Sequence, residues 1–187
     1  KETKVKKDQI PINFSFISNK SFNNYIVGKD NYTIETLTKL SDVSPATIVF
    51  LIGKKSSGKS HLCSAVRAFP NKSISFINEN NIKDIDFVKI LVNDLLIIDN
   101  IDKIIPKYNI EVKLFSVIND FILAKKGILV TSTVPLDKIK FKLLDLISRL
   151  KWDQVITIPE LSDKDKIKVL QKNAQERGWT IPDNVCD

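Results

Sequence analysis

Along the chain, short unbroken apolar runs alternate with longer stretches in which apolar residues recur at three- and four-residue spacing. The runs at 46–52, 73–77, 95–98, 127–130 and 155–158 are aliphatic, rich in β-branched residues and bounded by polar ones. That length and composition predict five strands buried on both faces of a sheet, with Pro45 setting the start of the first. Helical spacing appears between them at 60–68, 84–91, 110–124 and 143–150, each with one apolar face. The alternation predicts an α/β domain whose mostly parallel sheet is covered by helices on both faces. The ends differ in character. Residues 1–21 form a polar arm that Pro11 keeps from being helical, with Gln9, Ile10, Pro11, Ile12, Asn13 and Phe14 as an apolar island. After Pro159, Ser162 with Asp165 three residues on predicts the capped start of a charged helix reaching about Arg177 and stopped by Gly178. The expected organisation is an arm at 1–21, a core at 22–159, and the start of a small helical unit at 160–187, where Pro182 opens another helix.

Composition narrows the function classes. With 187 residues, 43% hydrophobic and 27% charged, the chain can pack one domain with an appendage, which excludes a disordered or fibrous protein. No apolar run approaches the roughly 18–20 residues that cross a bilayer, and no apolar segment follows the charged N-terminus. A soluble, cytoplasmic protein with no membrane partner is expected. Cys63 and Cys186 form neither a disulfide framework nor a metal-ligand spacing. The formal charge of +7 comes from scattered lysines, with arginine only at 67, 149 and 177. That leaves direct DNA contact open, because an AT-rich genome produces the same bias toward Lys, Ile and Asn. The chain begins at Lys1 and contains no Met, so it is expected to be a fragment or to lack its natural ends.

Directly after the first predicted strand stand Gly53, Lys54, Lys55, Ser56, Ser57, Gly58, Lys59 and Ser60, the spacing G-x-x-x-x-G-K-[ST], opening into a helix. Such a loop turns successive backbone N–H groups toward phosphate oxygens, and the helix N-terminus adds partial positive charge. Lys59 is expected to reach the β and γ phosphates and Ser60 to ligate Mg²⁺. The third strand ends in Asp99, a second Mg²⁺ candidate. Asn100 follows, and an amide takes up no proton at neutral pH. Nucleotide binding with slow hydrolysis by this chain alone is therefore expected.

Five segments together carry a family resemblance: Tyr25-Ile26-Val27-Gly28; Gly58-Lys59-Ser60-His61-Leu62; Leu96-Ile97-Ile98-Asp99-Asn100; Thr131-Ser132-Thr133 with Pro135; and Asp145-Leu146-Ile147-Ser148-Arg149-Leu150. From about Phe22 onward the chain resembles the AAA+ ATPases related to the bacterial replication initiator DnaA, and within them the Hda-type regulatory inactivators. The resemblance implies a P-loop AAA+ core with the start of a helical lid, binding ATP or ADP with Mg²⁺. It sets the adenine against Tyr25, Ile26, Val27 and Gly28, and accounts for His61 as a residue of the phosphate helix. Thr131, Ser132 and Thr133 become a sensor whose hydroxyl bonds the γ-phosphate or the attacking water, unless this strand end is merely capped by water. Thr133 stands where initiators commonly have Asp, and Ser56 where Gly is usual, so Ser56 is expected to adopt a backbone conformation that glycine takes more easily.

Arg149 matches the family's arginine finger, which acts on a neighbour's nucleotide. Gln9, Ile10, Pro11, Ile12 and Phe14 resemble the peptides that dock on the DNA polymerase sliding clamp, although such a short stretch also suits an edge strand. Trp152 and Trp179 are expected to be packing residues. The implied function is regulatory: held at the DNA-loaded clamp, the protein stimulates ATP hydrolysis by the initiator. Self-association stays open, as do two alternatives, the initiator's own ATPase domain and a helicase-loader-like P-loop ATPase.

Overall fold

The computed structural model describes residues 20–26, 31–42, 46–107 and 109–181. The peptide at residues 9–14, Val27, Gly28, Pro45 and the helix expected from Pro182 lie outside the described residues. Every predicted apolar run forms a strand: β1 Ile48–Ile52, β2 Ile74–Ile77, β3 Leu95–Ile98, β4 Gly127–Ser132 and β5 Gln154–Thr157. They make one five-stranded sheet in the order β2-β3-β4-β1-β5, parallel throughout. The helices are α1 Asn31–Thr38, α2 Lys59–Arg67, α3 Phe87–Ile90, α4 Ile101–Ile104, α5 Glu111–Leu123, α6 Leu144–Leu150 and α7 Asp163–Glu176.

Side chains alternate across the sheet with a period of two, and that alternation divides the core. Ile48, Phe50, Leu96, Ile98, Ile128 and Val130 face one side, where Leu114, Val117, Ile118 and Phe121 of α5 and Leu146 and Leu150 of α6 cover them. Val49, Leu51, Leu95, Ile97 and Leu129 face the other, packed against Leu37, Leu40, Leu62, Cys63 and Val66 from α1, the turn after it and α2. The expectation of five fully buried strands needs correction. β3 and β4 are buried at every position and β1 at all but its last, whereas β2 and β5 alternate between buried and accessible residues. Both are edge strands, with a neighbour on one side only.

Three local differences have physical causes. The helix expected over 84–91 is a single turn, α3, capped by the Asp86 carboxylate, which accepts from Val88 N and Lys89 N. Before it, the Asn78 and Asn81 side chains bond nearby backbone groups, which competes with helix formation. α1 is rich in threonine and has weak helix propensity, yet it forms where Leu37 is fully buried against the sheet. α4 follows Asn100, whose left-handed backbone (φ 55°, ψ 58°) turns the chain out of β3.

In a parallel sheet all C-terminal strand ends share one edge, where open α/β folds bind ligands. Here that edge collects the loop after β1, the Asp99–Asn100 corner after β3 and the end of β4. Among the described residues no helix is long and apolar enough to cross a membrane.

The entry to α6 is held from below. Glu111, 6% exposed at the start of α5, accepts hydrogen bonds from the backbone N–H of Lys142 and Leu143. Glu111→Ala removes the acceptor of both partly buried donors, so the unfolding free energy should fall by about 1 kcal/mol. A urea titration reads this directly, and Glu111→Gln, which keeps one acceptor, should lose less.

Candidate functional site

The loop between β1 and α2 curls over the sheet edge. Gly53 N–H donates to Ser132 O at 3.1 Å and Ser57 N–H to Lys54 O at 3.1 Å. Gly58 caps α2 in a left-handed conformation (φ 94°), and a Cβ there would sit 2.7 Å from Tyr25 Cε2, so both its backbone and the ring against it require glycine. Ser56 is also left-handed, at φ 67°, as its sequence position led us to expect. Lys59 is only 4% exposed. Its ammonium bends back on the loop, donating to Lys54 O at 2.9 Å and to Gly53 O. Burial pushes its pKa down, opposed by the charges of Asp102 and then Asp99. Ser57 Oγ is buried and has no hydrogen-bond partner. The cavity at this loop is lined by residues 55–61 together with Lys20, Asn100, Lys103, Thr133 and Val169.

At the end of β3, Asp99 is 8% exposed. It accepts from Thr131 Oγ1 at 2.6 Å, and its other oxygen lies 3.5 Å from Ser60 Oγ. The hydroxyl and carboxylate oxygens on which a Mg²⁺ site depends thus lie on one side of the loop. Cys63 is buried beneath them, 3.9 Å from Asp99; burial first, then the neighbouring charge, raises its thiol pKa well above the ordinary value. That makes it an unreactive packing residue.

The sensor triplet separates. Thr131 is fully buried, its oxygen taking the Asn100 N–H at 2.9 Å while its proton goes to Asp99. Ser132, also fully buried, donates to Val134 O at 2.6 Å. Only Thr133 lines the cavity at the loop, so two of the three expected sensor hydroxyls are engaged within the protein.

A second cavity adjoins the first, between residues 20–26, the loop and α7. Tyr25, Ile26, Ser57, Gly58 and His61 line one side, Val169 and Asn173 the other. Tyr25 and His61 meet edge to face at 5.4 Å. His61 Nε2 lies 2.9 Å from Ser21 O, so that nitrogen carries the proton; burial lowers the ring's pKa, with the Ser21 contact opposing. Asn24 Nδ2 donates to Glu176 of α7 at 2.8 Å, and Lys54 pairs with Glu160. Both contacts tie the loop side to the segment carrying α7. Arg149 lines neither cavity. It lies on α6 with its guanidinium 5.0 Å from the centroid of Trp152, which is 63% exposed. Trp152 is therefore not the core packing residue expected, and Trp179 is likewise 67% exposed.

Asp102, Lys103, Val169 and Asn173 were not anticipated. The last two carried a usable signal, their i, i+4 spacing on one helix face; the first two depend on how the chain turns at Asn100. The left-handed Ser56 yields a prediction. Relief of a Cβ in this region is worth roughly 1–2 kcal/mol, against about 0.4–1 kcal/mol of extra unfolded-state entropy for glycine. Ser56→Gly should raise the unfolding free energy by about 0.5–1 kcal/mol, measured by urea titration, and a loss of stability would refute the strain.

No family model matches the chain. An uncharacterized protein of Haemophilus influenzae is 28% identical over 194 residues, covering 96% of this chain and 80% of its own length. The chromosomal replication initiator protein DnaA of Caldanaerobacter subterraneus subsp. tengcongensis is 30% identical over 185 residues, covering 88% of this chain. The chain spans 42% of that initiator's length. Among solved structures, AMPPCP-bound DnaA from Aquifex aeolicus matches with a TM-score of 0.73 at 21% identity, over 91% of this chain and 58% of that one. The five-stranded parallel sheet between helices is that of a DnaA-like AAA+ ATPase fold.

Proposed function

We propose that the chain is a replication-related, nucleotide-binding AAA+ module that regulates the initiator by acting on a neighbour's ATP. The observation behind this reading is the pairing of a complete phosphate-loop motif, joined to Asp99 through Ser60, with an arginine that lines neither of the two cavities beside that loop. The orphan Ser57 Oγ and the Lys59 ammonium, which has only loop carbonyls to bond, fit a phosphate ligand. An anion there adds hydrogen-bond acceptors and counter-charge beside the buried ammonium. Ser60 and Asp99 would hold Mg²⁺, which when bound neutralises phosphate charge. Tyr25, Ile26, His61 and Val169 offer an apolar and aromatic slot for the base. The solved relative carries AMPPCP, which supports a nucleoside triphosphate or diphosphate as the ligand. Asn100 supplies no acid next to Asp99, so turnover by the chain alone is slow.

Arg149 is the finger. Its guanidinium rests on the face of Trp152, a contact worth only about 0.5–1 kcal/mol at an exposed site, so an ATP phosphate of an adjacent subunit can draw it off. The peptide at residues 9–14 is read as the tether to the sliding clamp, which concentrates the finger near initiators on replicating DNA.

Two substitutions test this. Lys59→Ala should weaken Mg-nucleotide binding at least tenfold in calorimetry while the fold persists; unchanged affinity removes the phosphate site. Arg149→Ala should keep nucleotide and clamp binding but lose the stimulation, in an assay of initiator, clamp-loaded DNA and this protein that follows ATP converted to ADP on the initiator. Fingers elsewhere contribute roughly 10³–10⁵ in rate, so equal stimulation by wild type and variant sinks the mechanism. The 30% identity to DnaA favours a second reading, the initiator's own ATPase domain. Specific binding of replication-origin DNA by the full-length protein, with no effect on a separate initiator, would select it.

A further inference from the structure

The nucleotide reading leaves one acid of the cavity region without a role. Asp102 lies in the single turn of α4, three residues after Asp99. One of its oxygens accepts the backbone N–H of Thr133 at 3.0 Å and the other accepts the Thr133 hydroxyl. Of the charges that favour the Lys59 ammonium, Asp102 ranks ahead of Asp99, so it lies within electrostatic reach of the phosphate loop. Thr133 lines the phosphate cavity beside Asn100 and Lys103.

Donor bookkeeping decides what Thr133 can do there. A threonine has two protons to offer, one on the backbone nitrogen and one on the hydroxyl, and a carboxylate is acceptor-only. Both Thr133 protons are engaged by Asp102, so toward the cavity the residue presents oxygen lone pairs alone. A phosphate oxygen is also acceptor-only and gains nothing from such a partner. Water, with two protons, does.

We propose that Asp102 and Thr133 form a water-orienting pair, in which Asp102 makes Thr133 an acceptor for the water that attacks the γ-phosphate. This inference rests on the nucleotide reading and answers the question left open between phosphate and water as the partner of the sensor hydroxyl. It also places an acid in space where Asn100 leaves none in sequence. In the step, the water oxygen bonds to the γ-phosphorus while the bond from that phosphorus to the bridging oxygen breaks, its electron pair leaving with the diphosphate. The water's proton passes to Thr133 Oγ1 as the hydroxyl's own proton moves to Asp102. Asp102 acts through Thr133 and is a positioning residue.

The test compares wild type with Thr133→Val and Asp102→Asn, measuring ATP and ADP affinities with fluorescent nucleotide analogues and single-turnover hydrolysis of radiolabelled ATP, with thermal unfolding as the control for folding. Thr133→Val should slow hydrolysis by about tenfold or more and leave the ATP-to-ADP affinity ratio within about twofold of wild type. Asp102→Asn keeps an acceptor for Thr133 N–H but offers an amide proton to Thr133 Oγ1, which frees the hydroxyl to donate to phosphate. It should therefore slow hydrolysis while raising the preference for ATP, a change that a purely structural role does not produce. The double variant should be no slower than the slower single one. A tenfold fall in the ATP-to-ADP ratio in Thr133→Val, undiminished hydrolysis in Asp102→Asn, or wild type that binds ATP without any turnover each overturns the pair. Wild type that binds neither nucleotide overturns the nucleotide reading as well, which separates the two failures.

Discussion

The register of β3 and β1 on β4 is the constraint from which the site follows. Ile98 pairs with Val130 and Ile52 with Ser132, so the next residue of β3, Asp99, comes beside Thr131, and the phosphate loop starts next to the end of β4. A one-residue slip would turn Asp99 to the opposite face. Thr131 has no access to water, and a buried hydroxyl must find partners inside the protein. It finds them at both ends of one corner, donating to Asp99 and accepting from Asn100 N–H. That corner is closed only with Asn100 left-handed, a conformation asparagine tolerates better than most residues. The turn launches α4 and brings Asp102 to Thr133.

The phosphate loop is held in a shape with little alternative use. Its lysine is buried on carbonyls of the same loop, a serine hydroxyl has no partner, and Ser56 is left-handed. Unpaired buried polar groups and strained backbone each cost free energy. A ligand carrying phosphate oxygens would remove the first two costs at once, which is the logic of a preorganised anion site.

Around that rigid edge the contacts become lighter. Residues 20–26 are joined to α7 by Asn24–Glu176 and by Lys172 to Asn23 O, and the loop to the segment before α7 by Lys54–Glu160. These are exposed polar contacts, individually worth at most about 1 kcal/mol, against a sheet whose central strands are buried at every position but Ile52. The second cavity lies between a wall anchored to the sheet and one held by exposed polar contacts.

Much of this was legible in the amino-acid pattern alone. Five aliphatic runs predicted five strands, because buried parallel strands need apolar side chains on both faces, and all five formed. The glycine and lysine spacing after the first run located the loop that turns from β1 into α2, and the left-handed Ser56 could be expected from a serine where such a loop favours glycine. Other features depended on tertiary contacts. Edge position left β2 and β5 half-accessible, burial of Leu37 made a helix of a threonine-rich segment, and complete burial divided Thr131 and Ser132 from Thr133. Asp102 joins Thr133 across 31 residues only because β3 and β4 are neighbours and Asn100 turns left. Local sequence determines which residues prefer strand, loop or helix. Which hydroxyl faces the cavity, and which acid engages it, is decided when distant strands are brought into register.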